Sequence, residues 1–214
     1  MDNTVTTVAA VRHLGPDAVA VDVTTPDGFD AKPGQFVKLG ADLDGERESR
    51  FYTVSSPGVE DHFEVTVEVD PDGTLGPWLA ERSPGDELRV SGPFGSTYYD
   101  GEDRVVVIAG GPGVGPAVGI AERAVADGNV VGVVYRDDDP LHEDRLTEVA
   151  VAGAFVEVVG EDGDLAAAVR DAVEAAGEDA TILVYGFADF LDAATDALAE
   201  AGVDPDRARV ENFG

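Results

Sequence analysis

The chain has 214 residues, with 44 acidic side chains against 14 basic ones, a formal net charge of −30 and no cysteine. That balance leaves no basic stripe to displace phosphate counterions, which argues against nucleic acid as a partner. The missing thiol excludes disulfides, cysteine-held iron–sulfur clusters and thiol catalysis within this sequence.

The acids are dispersed among regular apolar runs rather than gathered in a tail, and Lys32 and Lys38 are the only lysines. Such a surface resembles that of proteins from salt-loving microbes. At ~1 M salt the Debye length is only about 3 Å, so self-repulsion is screened. A halophilic protein is the expectation.

The first half reads as short strands: Val5–Arg12, Ala18–Val23, Gln35–Leu39, Arg50–Ser55, Phe63–Val69 and Glu87–Ser91. The turns "TPDG", "KPGQ", "DLDG", "DPDG" and "SPGD" separate them. Six strands at this spacing predict an antiparallel barrel. A brief helix, about Pro77 to Glu81, interrupts them, with Gly76 as its cap and Pro77 as its first residue. "RFYTVSSP", residues 50–57, carries more polar handles than a core strand needs: a guanidinium, a phenol and three small hydroxyls. That set suits a strand laid against a planar, phosphate-bearing ligand. Strict alternation, however, puts Arg50 and Tyr52 on one face and Thr53 on the other.

After "STYYDGED" the rhythm changes. "RVVVIAG" is a continuous apolar run, as in a parallel strand buried on both faces. Helix "AVGIAERAVADG", strand "VVGVVY", a helical stretch near Leu141–Val149 and strand "AFVEVVG" follow. Helix "DLAAAVRDAVEAAG", strand "TILVYG", helix "DFLDAATDALAEAG" and strand "ARVEN" complete the chain. This is the alternation of a doubly wound sheet. The expected division is residues 1–99 and 100–214.

The turn "AGGPGVGP" joins a strand to a helix, where a pyrophosphate can sit on free helix N–H groups. Gly110, Gly111 and Gly113 would let the backbone approach, and Pro116 suits a first helical turn. The third glycine of the usual dinucleotide fingerprint is absent. Tight strand-to-helix packing without a ligand is the alternative reading. His13, His62 and His142 show no ligand spacing and are expected as surface or turn residues, so no metal site is expected. The uncharged run Val105–Ala121 is broken by "GGPGVGP", so no membrane span is expected. The N-terminus lacks a signal-type segment, and a cytoplasmic protein is the expectation.

Three segments in order, "RFYTVSSP", "AGGPGVGP" and the terminal "ENFG", resemble the ferredoxin–NADP reductase family of flavoproteins. The resemblance covers nearly the whole chain. It implies an antiparallel six-stranded β-barrel that binds FAD, followed by an α/β doubly wound parallel sheet that binds a nicotinamide nucleotide.

By that resemblance Arg50 holds the FAD pyrophosphate, Tyr52 packs on the flavin and Thr53 reaches the N5 edge. Val67, Gly73, Leu75 and Gly76 complete the FAD side, with Gly76 standing where relatives carry a hydroxyl residue. "AGGPGVGP" is similar to the family's G-G-x-G-x-x-P. Arg136 stands at an expected arginine position, and Gly186 in "YGF" matches the family's Cys-Gly-Pro. Tyr185 replaces its cysteine near the nicotinamide. Glu211 and Phe213 lie close to flavin and nicotinamide, and with Thr53 and Tyr185 form the catalytic set. Where NADP-using relatives carry Ser-Arg, this chain has Gly160 and Glu161. A carboxylate repels a 2′-phosphate, so NADH is favoured over NADPH.

The implied activity is hydride transfer from NAD(P)H to FAD, with electrons passed to an acceptor such as a separate ferredoxin. A monomer is expected. The alternative is a flavin-binding electron-transfer or regulatory subunit with little activity alone.

Overall fold

The computed structural model describes residues 1–43 and 45–214; within the "DLDG" turn, Asp44 lies outside the described residues. The first half contains β1 (Thr4–Gly15), β2 (Ala18–Thr24), β3 (Phe36–Leu43), β4 (Glu46–Thr53), β5 (His62–Glu68), helix α1 (Leu75–Ala80) and β6 (Glu87–Phe94). The strands form one antiparallel sheet in the order β4-β3-β6-β1-β2-β5. A bridge between Val54 and Val65 joins its two edges. The six-stranded barrel is therefore present, its two edge strands meeting at that bridge.

Its interior is aliphatic: Val19, Val21 and Val23 of β2 meet Val37, Leu39, Val65, Val67 and Val90. β2 and β5 do not follow the half-buried alternation of a solvated barrel. Asp22, Glu64 and Thr66, on the outward row, are buried as well. Glu64 and Thr66 lie under the second half of the chain.

That half runs β7 (Arg104–Gly110), α2 (Val114–Ala126), β8 (Val130–Arg136), α3 (Glu143–Val151), β9 (Phe155–Val159), α4 (Leu165–Ala176), β10 (Thr181–Gly186), α5 (Ala188–Glu200) and β11 (Ala208–Asn212). All five strands are parallel, in the order β11-β10-β7-β8-β9. Leu183 and Tyr185 face the layer containing α2 and α3, while Ile182 and Val184 face α4 and α5. The doubly wound sheet is thus as expected. Its strand order reverses between β7 and β10, the point where open α/β sheets bind ligands beyond the strand C-termini.

Two helix starts differ from expectation. α1 begins at Leu75, so Gly76 lies inside it and Thr74 is at the cap. Pro77 still falls in the first turn, where no N–H partner is needed. α3 begins at Glu143 because His142 holds a left-handed conformation, φ +54°, which stops the helix from running back to Leu141.

Candidate functional site

A cavity of about 470 Å³ opens between the halves. Tyr52 and Thr53 at the end of β4, Phe36 of β3 and Thr66 and Glu68 of β5 form its barrel wall. Pro112 and Pro116 come from the glycine-rich turn and the start of α2. Phe187, Glu211, Asn212, Phe213 and Gly214 close it from the second half. Three segments distant in sequence therefore converge here.

The parity conflict at Thr53 is resolved by the strand's end. Thr53 is the last residue of β4, opposite Phe36, and the cavity wraps that end, bordered by Tyr52 and Thr53 together. Burial pushes the Tyr52 phenol up to about 12, against the pull of Arg50, so it stays neutral.

Arg50 does not line this cavity. It sits two residues upstream with its side chain 63% exposed, donating to the Ser49 carbonyl at 2.8 Å and 3.7 Å from Glu48. Two of the residues expected on the FAD side do not present side chains to the cavity. The side chains of Val67 and Leu75 are both buried in the barrel core. Val67 points inward because it alternates with Thr66 and Glu68, which take the cavity wall. Gly73 lies in a turn, its N–H bonded to the Asp70 carbonyl at 3.0 Å, and neither it nor Gly76 borders the cavity.

The glycines near the turn divide by cause. A Cβ on Gly110 would enter the ring of Phe190, one on Gly186 would lie 2.6 Å from the same ring, and one on Gly113 would strike the Tyr185 backbone. These three serve close packing. Gly111 differs: its φ is +54° and a Cβ there would meet nothing within 4 Å. It is the member that turns the chain and leaves room in front of it.

Tyr185 is not in the cavity. It is fully buried under α2, its hydroxyl donating to the Thr97 carbonyl at 2.9 Å and reaching bare backbone at Gly34. Burial holds its phenol far above the ordinary value. β10 pleating turns this side chain toward the barrel seam, away from its expected place beside the cavity. Phe187 takes the cavity wall instead, edge-on to Phe213 with centroids 5.8 Å apart. The terminus is tied down by the Phe213 N–H to the Gly186 carbonyl, 3.1 Å. Glu211 borders the cavity, and partial burial raises its carboxyl above the usual range. Arg136 and Glu161 meet away from the cavity, at the ends of β8 and β9. One Arg136 nitrogen donates to the Glu161 carboxylate at 2.7 Å and to its carbonyl at 2.8 Å.

The seam beside the cavity is polar, and sequence reasoning missed it. Arg145 of α3 donates to Glu64 of β5 at 2.7 Å, to both oxygens of Glu122 in α2 at 2.6 and 2.8 Å, and to the Ser55 carbonyl at 2.7 Å. Arg12 also pairs with Glu64 and lies 3.4 Å from Asp22. Burial pushes the Glu64 carboxyl up, while the two guanidiniums pull it down. Glu64 and Glu122 in turn hold Arg145 above its usual value. His142, expected at the surface, is buried. Its Nε2 lies 2.9 Å from the Thr66 hydroxyl, which lies 2.9 Å from that of Ser55. Desolvation, aided by Arg145 and Arg12, lowers the imidazole to about 3, so it is neutral. Nothing in the local pattern of "LHEDRL" distinguishes this histidine and arginine from a solvated helix start. The alternation of "FEVTVE" marks Glu64 and Thr66 only as an outward face.

The residues present fit a flavin dinucleotide. The cavity lies within the roughly 300–1,000 Å³ of small-molecule sites. It offers aromatic walls from Phe36, Tyr52, Phe187 and Phe213, with polar groups at Thr53, Thr66, Glu68, Glu211 and Asn212. Beside it stands Arg50, a cation whose present partners leave most of its guanidinium unspent.

A sequence model of the oxidoreductase FAD-binding domain matches residues 7–99. The chain is 45% identical over 92 residues to the glycine betaine monooxygenase reductase subunit of Chromohalobacter salexigens, covering 41% of this chain and 25% of that protein. It is 30% identical over 233 residues to the ferredoxin reductase component of 3-ketosteroid-9-alpha-monooxygenase from Mycolicibacterium smegmatis, covering 96% of this chain and 64% of that one. The chain thus spans about a quarter of the first of these relatives and less than two thirds of the second. In fold it is similar over its full length to the FAD/NAD-binding domain of nitric oxide dioxygenase from Vibrio cholerae, with TM-score 0.84 and 20% identity, all of both chains being covered. A ferredoxin NADP+ reductase from Neisseria gonorrhoeae, solved with FAD and NADP, superposes with TM-score 0.82 at 17% identity, again over all of both chains. With the barrel, the doubly wound sheet and the three converging segments, the chain is similar in its FAD-binding half and in its whole fold to the ferredoxin–NADP reductase-like family of FAD- and nicotinamide-nucleotide-binding proteins.

Proposed function

We propose that this protein is an NAD(P)H-dependent FAD oxidoreductase that passes electrons to a separate acceptor, with NADH as the preferred donor. The observation that carries the proposal is the convergence of Tyr52, Thr53, Pro116, Glu211 and Phe213 on one cavity between a barrel and a doubly wound sheet. FAD, when bound, supplies hydride acceptance and the release of electrons one or two at a time. The protein's part is binding, orientation and exclusion of water. The neutral Tyr52 phenol gives an apolar face with a polar tip. Thr53 presents a hydroxyl at the strand end, and Arg50 answers the pyrophosphate charge. Phe187 and Phe213 shield the cavity from the second half, and Gly111 leaves the backbone open to a dinucleotide. Glu211 holds a proton more readily than an exposed glutamate does.

The preference for NADH rests on Glu161, which places a carboxylate against Arg136 where a 2′-phosphate would have to compete. As partner we propose an electron-carrying or oxygenase protein, since several relatives are named as reductase components of monooxygenases. We further propose a cytoplasmic, salt-adapted monomer with a division near residue 99; no helix among the described residues is long and apolar enough to cross a membrane. The deciding experiment is the visible spectrum of the purified protein in high salt, followed by anaerobic NADH. Flavin bands that bleach support the reading. A colourless protein that does not take up added FAD overturns it, and a coloured one that does not bleach turns it into an electron-transfer subunit.

A further inference from the structure

Beside the His142–Thr66 hydrogen bond and the Tyr185–Gly34 contact, α2 and α3 each join the barrel in their own way. α2 meets the barrel with bare backbone: a Cβ on Gly119 would lie 2.6 Å from the Ser55 carbonyl oxygen, and one on Gly115 would lie 2.8 Å from Thr66 Cβ. These glycines are four residues apart, so they form one line along a single helix face. A line of contact sets the spacing between two bodies but leaves them free to rock about it. Arg145 adds an ionic constraint from α3. Its fork reaches Glu122, one turn beyond Gly119 on α2, and Glu64 and the Ser55 carbonyl on the barrel.

Both anchored segments run into the cavity wall. Ser55 follows Thr53 by two residues and hydrogen-bonds Thr66, and α2 carries Pro116 in its first turn. The guanidinium is half-buried, with a carboxylate partner on each side, Glu122 on α2 and Glu64 on the barrel, the geometry in which a planar fork fixes orientation.

We infer that Arg145 is a positioning residue for hydride transfer: it pins α2 to the barrel so that the nicotinamide-side floor at Pro116 faces the flavin-side wall at Thr53 at a fixed angle. The inference rests on the proposed function for its chemistry, but the pin itself is testable without it. A small misplacement of reacting groups costs large factors in rate.

The test uses the full chain loaded with FAD, in molar salt, comparing wild type with Arg145→Met, Arg145→Lys and Glu122→Gln. Because the chain has no cysteine, Glu87→Cys on the barrel and Asp196→Cys on α5, both exposed, take spin labels cleanly. Pulsed electron paramagnetic resonance then reads the distance distribution between the halves. Expected for Arg145→Met are a broadened distribution, a hydride-transfer rate at least 10-fold lower, and loss of the long-wavelength absorption of the stacked nicotinamide–flavin pair. FAD affinity and the NADH dissociation constant should change less than 3-fold. Arg145→Lys, which keeps the charge, should recover part of the rate.

Should Arg145→Met fail to fold, Glu122→Gln carries the same readouts with smaller shifts. An unchanged distribution overturns the inference whatever the rate does, and so does a broadened one with an unchanged rate. A wild-type protein that does not bleach with NADH defeats the proposed function, and the distance measurement still decides the pin.

Discussion

Replacing Gly119 by alanine sets two effects of known sign against each other. Gly119 is inside α2 and has ordinary helical backbone, so helix propensity alone predicts a gain of about 0.8–1.0 kcal/mol. The seam predicts the reverse. The new methyl would sit 2.6 Å from the Ser55 oxygen, 2.8 Å from its carbonyl carbon and 3.1 Å from the Ser56 carbonyl carbon, all backbone atoms. Ordinary contact starts near 3.4 Å, so helix and strand must part by most of an ångström. Ser55 cannot yield easily. Its N–H is bonded to the Glu64 carbonyl at 2.8 Å and its carbonyl to Arg145 at 2.7 Å. Overpacking of this kind costs ~1–3 kcal/mol, and the fixed backbone argues for the upper end. The net expectation is a loss of about 2 kcal/mol, or a melting temperature about 4–8 °C lower for a chain of this size. The assay is a thermal melt in molar KCl by circular dichroism, with calorimetry to check that the halves melt together. A variant that melts at or above the wild-type temperature would refute the flush contact, because only propensity would then remain.

Four further outcomes are expected. The His142 imidazole, free at 6.5 but lowered to about 3 by burial, takes up its proton in the unfolded chain first, so stability falls as pH drops below 6.5. Between pH 6.5 and 5 the loss is about 2 kcal/mol at ~1.4 kcal/mol per unit. Urea midpoints should fall less over this range in His142→Asn than in wild type, and equal slopes would contradict the burial argument. Glu161→Gln removes the anion facing Arg136 and should shift the NADPH-to-NADH ratio of kcat/KM about 10-fold toward NADPH, a change of ~1.4 kcal/mol; an unmoved ratio counts against the proposed preference. Arg50→Gln should weaken FAD binding about 10- to 100-fold, from ~1.5–3 kcal/mol of charged hydrogen bonding, and leave the melt of the FAD-free protein unchanged; titration of that protein with FAD reads it. With a formal charge of −30, the wild-type protein should melt at lower temperature in dilute buffer than in concentrated KCl, and equal melts would remove the salt argument.

Much of the architecture was legible because periodicity reports which way side chains alternate. The period-2 runs and turns of the first half give a barrel, and "RVVVIAG" gives a parallel strand buried on both faces. The convergence of "RFYTVSSP", "AGGPGVGP" and "ENFG" followed from their resemblance, and all three contribute to the cavity wall. What periodicity omits is what covers a face. Glu64 and Thr66 occupy the outward row of β5, which reads as solvent until α2 and α3 lie on it. Arg145 looks like one more charge in an acidic helix, and His142 like a turn residue. Tyr185 was placed by sequence position, yet the strand pleat turns its ring away from the cavity. The glycines of the turn were equally opaque, since close packing and ligand approach select the same residue, and only the space before Gly111 separates them. At Thr53 the alternation rule was sound, and it ceased to matter where the strand ended.

The Tyr185 hydroxyl, seated on the Thr97 carbonyl and the bare backbone of Gly34, makes the halves poor candidates for exchange. A barrel from this chain joined to a foreign nucleotide-binding half with a small residue at that position would expose a hollow the size of a phenol ring and orphan a carbonyl. The reverse graft would drive the ring into any side chain standing where Gly34 is. Chimeras of this chain should therefore be cut so that residues 34, 97 and 185 travel together, although they span both sides of any conventional boundary.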